Sequence, residues 1–587
     1  MAAKAPRNGA HFRGKELSRP LLLGPAVSLS SSERPLQPCY ARGATTDHPM
    51  RSVAALLLIL CITVPLSAQT LSESIKVVVV NVDVVVTDRA GKHVTGLTSD
   101  DFEISEEQRP QKITNFSEVR AAAMTLAATA QETTPVEAPP RRFVFFIDND
   151  SLHPMIRDQV VESMKRFIEQ QLRTGDEASI VSWNNGIQIL QALTSDKTAL
   201  KNAADRLRGL SSPDAISTDL GRVQKRCIRA LDQPHGGYEE CIGEVRTAAM
   251  KATLASKQLT NAMSLAITTM AGMEGKKVLV LASTRLPERP GYDMYIWANQ
   301  LFASRMRGFD FAMARPTEET RKQREVLDEL ARTANAQGVA MYLLDAAVLT
   351  NPMPIENART IPMEGGMELD RQNTDAAFQM LAAKTGGVAV TGRVNFDDAF
   401  ATVARDLDSY YSLGYRPSSD LTGDRSITVK ARNREYTVRA RQGYAIKSFD
   451  DQMKDRVVAN IFAPRPRGSW NVSVRTGKPE RDGRNFKVPL EVSMPSTVAL
   501  LPKEEDRLVG GFTVYIAVGS PQGALSTVSM SSQPVGMSPA AEAEFRKEPI
   551  VWTAMLTVAP GRNVLSIGVV DQVGNTTAFA RTTIVSE

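Results

Sequence analysis

Two carboxylates one residue apart, Asp148 and Asp150, close the apolar run in "FVFFIDNDSLHP". Carboxylates this close repel each other unless a proton or a cation intervenes, so the pair is a candidate ligand set for Mg2+ or another divalent cation. Ser151 adds a hydroxyl beside them. The competing reading is structural: acids and hydroxyls at a strand end cap the helix that follows, here the one opening at Pro154. Other reactive residues are sparse. Beyond residue 68 the histidines are His93, His153 and His235, none of them in a metalloprotease-type motif, and no P-loop or dinucleotide fingerprint is present.

The elements that must position the acids follow from patterning. Five apolar residues from Phe143 fit a strand buried on both faces, with Asp148 at its carboxyl end, where ligands sit in open α/β sheets. Downstream, helical spacing at Met155, Val160, Met164, Phe167, Ile168 and Leu172 precedes "ASIVSWNNGIQILQAL", two strands around Asn184-Asn185-Gly186. "KKVLVLAST", "GVAMYLLDA" and "VAVTG" supply further strands between helices, which predicts a mostly parallel sheet covered on both sides.

The flanks read differently. Residues 75–120 and 408–447 are short β-branched strands separated by turn residues, and the second set is expected to join the first in one β domain. Residues 121–142 are an Ala-, Thr- and Pro-rich linker, 143–407 the α/β domain, and 470–587 a C-terminal β-sandwich. Fold class is therefore multidomain, α/β plus all-β.

"MRSVAALLLILCITVPLSAQT" from Met50 has the layout of a secretory signal peptide over 50–68, and 1–49 reads as a non-structured extension or start-site artefact. The mature product is then expected to begin near Gln69, to carry no membrane span, and to be periplasmic, outer-envelope or extracellular. The 1–49 segment holds seven Lys/Arg against three acids and Arg51 adds one more, so the chain's net charge of +5 falls to zero after Ala68. That removes the electrostatic footprint of a nucleic-acid binder. Cys227 and Cys241 flank a turn between two helices, and in an exported chain a disulfide is the natural reading.

Four segments, "DFEISEEQRPQKITNF", "FVFFIDND", "LAAKTGG" and "YYSLGYRPSS" with "VRARQGY", together resemble the von Willebrand factor A-related domain proteins of acidobacterial type, over Ile75 to about Ile446. The resemblance implies a doubly wound, mostly parallel sheet with a central first strand, flanked by β-sandwich-like modules. It also implies an exported protein of unestablished biochemical role; with no complete catalytic motif in the sequence, the leading expectation is a non-catalytic, adhesion-type protein recognising a protein or cell-envelope ligand. Such domains often carry a metal-ion-dependent adhesion site, D-x-S-x-S with a Thr on a second loop and an Asp after the fourth strand. Here Asp148 matches the leading acid, Asp150 and Leu152 replace the serines, Thr218 in "ISTDLG" matches the Thr, and Thr284 stands where the Asp is expected. The site is degraded, with Asp148, Asp150 and Thr218 as its remaining candidate ligands and Ser151 as a lesser one. The same stretch is similar to the first motif of haloacid dehalogenase-type phosphatases. That likeness implies a secreted magnesium-dependent enzyme with Asp148 as nucleophile and Asp150 as general acid. Ser283 or Thr284 would bind phosphate and Asp397-Asp398 would stand in for the distant acid pair.

Overall fold

Phe143 to Ile147 are all buried because the strand that holds them, β1 (Arg141–Asp148), is covered on both faces. Side chains alternate across a strand. Phe143, Phe145 and Ile147 enter one apolar cluster, and Val144 and Phe146 the other. The computed structural model describes residues 79–120, 139–210, 215–230, 237–303, 318–346, 364–392, 395–417, 422–463, 468–520 and 523–587. The segment expected to be a signal peptide, the extension before it and most of the linker lie outside the described residues. The chain divides into two units, one ending at Gln452 and one running from Met453 to Glu587.

In the first unit, β1 is followed by β2 (Glu177–Trp183), β3 (Ile187–Thr194), β4 (Lys276–Ser283), β5 (Val339–Asp345) and β6 (Ala389–Val390), in the sheet order β6-β5-β4-β1-β2-β3. All pairs are parallel except β2 with β3. The order reverses between β1 and β4, and in open α/β sheets ligands bind at the carboxyl ends beside such a reversal. Helices α1 (Pro154–Gln171), α2 (Lys197–Arg206), α3 (Ala215–Ala230), α4 (Tyr238–Thr268), α5 (Tyr292–Ala303), α6 (Glu318–Gln337), α7 (Glu364–Thr385) and α8 (Phe396–Asp408) complete the α/β layer. The face carrying Phe145 packs against α1, α2 and α8; the opposite face packs against α4, α6 and α7. On α1 the expected inward residues Val160, Met164, Phe167 and Ile168 are buried, but Met155, in the first turn, is 65% exposed. The Gly-Gly after α7 is required locally. Gly386 has φ +77°, and a Cβ on Gly387 would stand 1.9 Å from the Met341 carbonyl oxygen.

Helices α3, α4 and α5 build a satellite core of Val223, Ile242, Val245, Tyr295, Trp297 and Phe302 around bonded Cys227 and Cys241, whose Cα atoms are 4.6 Å apart. With the two cysteines 14 positions apart in the sequence, the bond restricts the unfolded chain by about 3 kcal/mol. Replacing both cysteines by serine should lower the stability of this unit by about that amount. Treating the unaltered chain with reductant should reproduce the loss, and equal denaturation midpoints for oxidised and reduced protein would contradict it.

Strands from both ends of the first unit build its β-sandwich. One sheet runs 437–440, 80–87, 409–415, 113–120; the other runs 443–446, 423–431, 102–106, 109–111. In "VNVDVVVT", Val80, Val82, Val84 and Val86 face Phe102, Ile104, Tyr411, Leu413, Tyr415 and Ile427 in the shared core, while Asn81 and Asp83 face out.

The second unit has one sheet built on Asn485–Met494 and another on Arg507–Gly519 and Gly561–Asp571, with Val488, Leu490, Val514, Ile516, Ile567 and Val569 packed between them. A helix absent from the sequence expectation, Phe449–Phe462, spans the boundary between the units. Within the second unit its Val457 and Ile461 lie against Gly568 and Gly519, where a Cβ would be 2.7 and 2.8 Å from their methyl carbons.

Candidate functional site

The carboxyl ends of β1, β4 and β5 bring polar groups together beside the strand-order reversal. Asp148 ends β1 with no exposed surface, and its Oδ2 accepts a 2.7 Å hydrogen bond from the Ser283 hydroxyl at the end of β4. Its Oδ1 has no hydrogen-bond partner among the described residues. Arg285 follows β4. Its backbone N–H donates to the Ser283 hydroxyl at 3.0 Å, and its guanidinium lies 3.8 Å from Asp148 Oδ1, with the side chain 24% exposed. Asp345 ends β5 in register with Ser283 and is buried.

The turn after β1 is tied to the turn after β4. Ser151 Oγ donates to the Asp148 carbonyl at 3.1 Å and accepts from the Thr284 N–H at 3.1 Å, while Thr284 Oγ1 donates to the Ser151 carbonyl at 3.3 Å. Asp150 turns the other way. Its Oδ2 accepts a 2.6 Å bond from the N–H of Asn185, which has φ +50° in the β2–β3 turn.

Neither acid caps α1. The cap is His153, whose Nδ1 accepts from the Met155 N–H at 3.3 Å, with Pro154 in the first turn. The expectation that Asp148, Asp150 or Ser151 would cap this helix is corrected: each is held by the strand ends and turns, and the residue directly preceding Pro154 takes the cap.

Burial pushes the Asp148 carboxyl above its ordinary value, against the opposing charge of Arg285 and the hydroxyls of Ser283 and Ser151. Asp150 is also raised, first by burial and then by the Asp148 charge, with the Asn185 N–H and Arg285 opposing. For Asp148 the folded protein therefore binds its proton more tightly than the unfolded chain does. This contribution to stability is greatest below the ordinary carboxylate range, falls as pH rises through the raised value, and stays lost above it. Asp148→Asn should abolish that decline, so its melting temperature relative to the unaltered protein should rise with pH and then level off. Parallel pH profiles for the two proteins would contradict the assignment.

A hard cation takes six or more oxygen ligands, at 2.0–2.1 Å for Mg2+. Asp148 Oδ2 is occupied by Ser283, and Asp150 Oδ2 by Asn185. Leu152 is 1% exposed in the apolar cluster with Ile147 and Val160. Thr284 is bonded to Ser151, and the Arg285 charge already stands at the open oxygen. Thr218 lies on α3, but its side chain is outside the described residues. Among the described residues no group of three or more His, Cys, Asp or Glu side chains could hold a metal. These residues fit a metal ion poorly.

The phosphatase arrangement also lacks its parts here. Asp148 presents no exposed surface from which to attack a phosphorus centre. Asp397 and Asp398 open α8, where Asn395 caps the helix and Asp397 pairs with Arg166 at 2.7 Å.

No family model matches the chain, and no curated protein matches it. Among solved structures the chain is similar to an aerotolerance-related membrane protein from Bacteroides fragilis, at 10% identity over 46% of this chain and 98% of that one, with a TM-score of 0.22. It is similar to BatB from Bacteroides thetaiotaomicron, at 11% identity over 46% and 97%, TM-score 0.20. It is also similar to three N-terminal domains of the type V pili tip protein Mfa5 from Porphyromonas gingivalis, at 8% identity over 86% and 76%, TM-score 0.25. Likeness at this level leaves function to be argued from the site. No helix among the described residues is long and apolar enough to cross a membrane.

Arg285 and Asp345 lie outside the sequence expectations, and Ser283 enters them only as a phosphate binder. The signal for Arg285 was a lone cation directly after a buried strand, in "LASTRL", opposite an acid pair. Asp345 carried the same mark as Asp148, an acid ending an apolar run.

Proposed function

We propose that this chain is an exported, non-catalytic binding protein of von Willebrand factor A-like type, which recognises a protein or cell-envelope partner through the carboxyl-end loops of its central sheet. The observation that carries the reading is the polar cluster at the carboxyl ends of the strands where their order reverses. There a buried carboxylate keeps one oxygen without a hydrogen bond among the described residues, beside a part-exposed arginine. The central first strand and the reversal beside it support the von Willebrand factor A-like assignment, and the bonded cysteine pair supports export to an oxidising compartment.

The test is turnover. The full chain, assayed with magnesium on a broad panel of phosphate esters, should release no phosphate above the level of its Asp148→Asn variant. Hydrolysis abolished by that substitution would overturn the reading in favour of a phosphatase.

A further inference from the structure

We infer that the second unit binds an acidic sugar, a single carboxylate carried on a hydroxyl-rich ring, in the cleft between the open edges of its two sheets. The site uses none of the residues at the strand ends of the central sheet and goes beyond the reading drawn from them. Strand Ser473–Thr476 ends one sheet and strand Thr577–Ser586 the other. Apart from one bridge between Gly468 and Ala578, no described strand covers the outer edge of the second. Between the two edges lies a cleft of about 890 Å3, bounded by residues 471–474, 493–497, 546–549 and 579–582. That volume falls in the range of about 300–1,000 Å3 common to small-molecule sites.

The polar lining is uncommitted. Asn471, Ser473, Ser493, Thr497 and Thr582 line the cleft, and their side chains make no hydrogen bond among the described residues. Hydroxyls and amides both donate and accept, so a ring bearing its own hydroxyls can pair with them, while its C–H face lies against half-buried Val472 and Val474. Three of the described lining residues are cations. Arg546 is spent on the wall: Nη1 donates to the carbonyls of Ser496 and Ala499, and Nε and Nη2 donate to Glu542. Lys547 pairs with Glu544 at 2.6 Å. Arg581 makes no hydrogen bond or ion pair among the described residues. It pairs across the strands with Ser566, four residues from Arg562, so the two arginines share one face of adjacent strands. Burial and then the Arg562 charge push the Arg581 guanidinium below its ordinary value, and no acid opposes them. A carboxylate bound in the plane of the Arg581 fork relieves that repulsion. Glu548 lines the same cleft, so a polyanion would meet its charge, whereas sugar hydroxyls can donate to it. One carboxylate at Arg581 and hydroxyls elsewhere is the ligand this lining matches.

The probes are sodium glucuronate, glucose and sodium acetate: the acidic sugar, the ring without the charge and the charge without the ring. Each is titrated calorimetrically into the full chain at equal ionic strength, for the unaltered protein, Arg581→Gln, Arg581→Lys and Arg484→Gln. Arg484 is exposed at the other end of strand Asn485–Met494 from Ser493. Glucuronate should bind about tenfold more tightly than glucose or acetate, the worth of a charge-assisted hydrogen bond added to the ring contacts. Arg581→Gln should weaken glucuronate about tenfold, to the level of glucose, Arg581→Lys should weaken it less, and Arg484→Gln should leave it unchanged. Absence of saturable glucuronate binding would overturn the inference. So would equal affinities for glucuronate and acetate, which mark a bare anion site, or equal glucuronate affinities in the unaltered protein and Arg581→Gln. If Arg581→Gln fails to fold, glucuronate affinity undiminished in Arg581→Lys overturns it, because an ammonium cannot reproduce the planar fork.

Discussion

Asp406→Ala will cost the first unit about 3–5 kcal/mol, the usual penalty for removing one partner of a buried ion pair. Asp406, on α8, is 2% exposed. Its carboxylate accepts from Arg439 Nη2 at 2.7 Å and Nη1 at 2.9 Å and from the Tyr342 hydroxyl at 3.2 Å, and it pairs with His93 Nε2 at 3.2 Å. His93 and Arg439 come from the β-sandwich, Tyr342 and Asp406 from the α/β layer, so one carboxylate ties the two together. Truncation leaves a cation and a buried phenol without their acceptor. Burial works to raise the Asp406 carboxyl, but the bonds and charges of His93 and Arg439 prevail and hold it below its ordinary value. Stabilisation by a depressed carboxylate is present above the unfolded value and lost as pH falls through the folded one. The gap between the unaltered protein and Asp406→Ala should therefore close in acid. Denaturant midpoints at neutral pH and below pH 4 check both statements, and a gap that widens in acid would refute them.

Leu152→Ser, the substitution that would restore a serine of the adhesion motif, should cost about 4 kcal/mol and gain no metal site. Leu152 is 1% exposed among Ile147, Val160, Val161 and Met164. Leucine-to-alanine truncation at buried sites costs about 2–5 kcal/mol, and a hydroxyl left unpaired there adds about 1–3. Leu152→Ala should show most of the loss, which separates the cavity from the hydroxyl. A stable Leu152→Ser whose melting temperature rises with magnesium would show that the side chain can turn to the strand ends.

The contrast between Asp148 and Leu152 shows what the sequence could and could not carry. A run of five apolar residues ended by an acid marks a covered strand and its carboxyl end, so β1 and the place of Asp148 were legible. Which way the next residues point is not periodic information: Leu152 turns inward, Asp150 reaches the β2–β3 turn, and His153 caps α1. Arg285 becomes meaningful only when β4 lies beside β1, a pairing between residues more than 130 apart. The sandwich shows the same limit over a longer span. Alternation marks Val80 to Val86 as a half-buried strand, but its pairing of Val82 with Leu413 belongs to the folded chain. The helix at Phe449–Phe462 carries buried Met453, Val457 and Ile461 at four-residue spacing behind a Ser448 cap, a short signal set between strand-rich stretches and the Pro-rich joint.

The central claim is that the carboxyl-end loops of the central sheet are the recognition surface. Its most direct test compares capture from envelope extracts by the unaltered chain, by Arg285→Glu, and by Arg475→Glu, which alters an exposed residue of the second unit. A component retained by the unaltered chain should also be retained by Arg475→Glu and lost by Arg285→Glu. Equal retention by all three would contradict it.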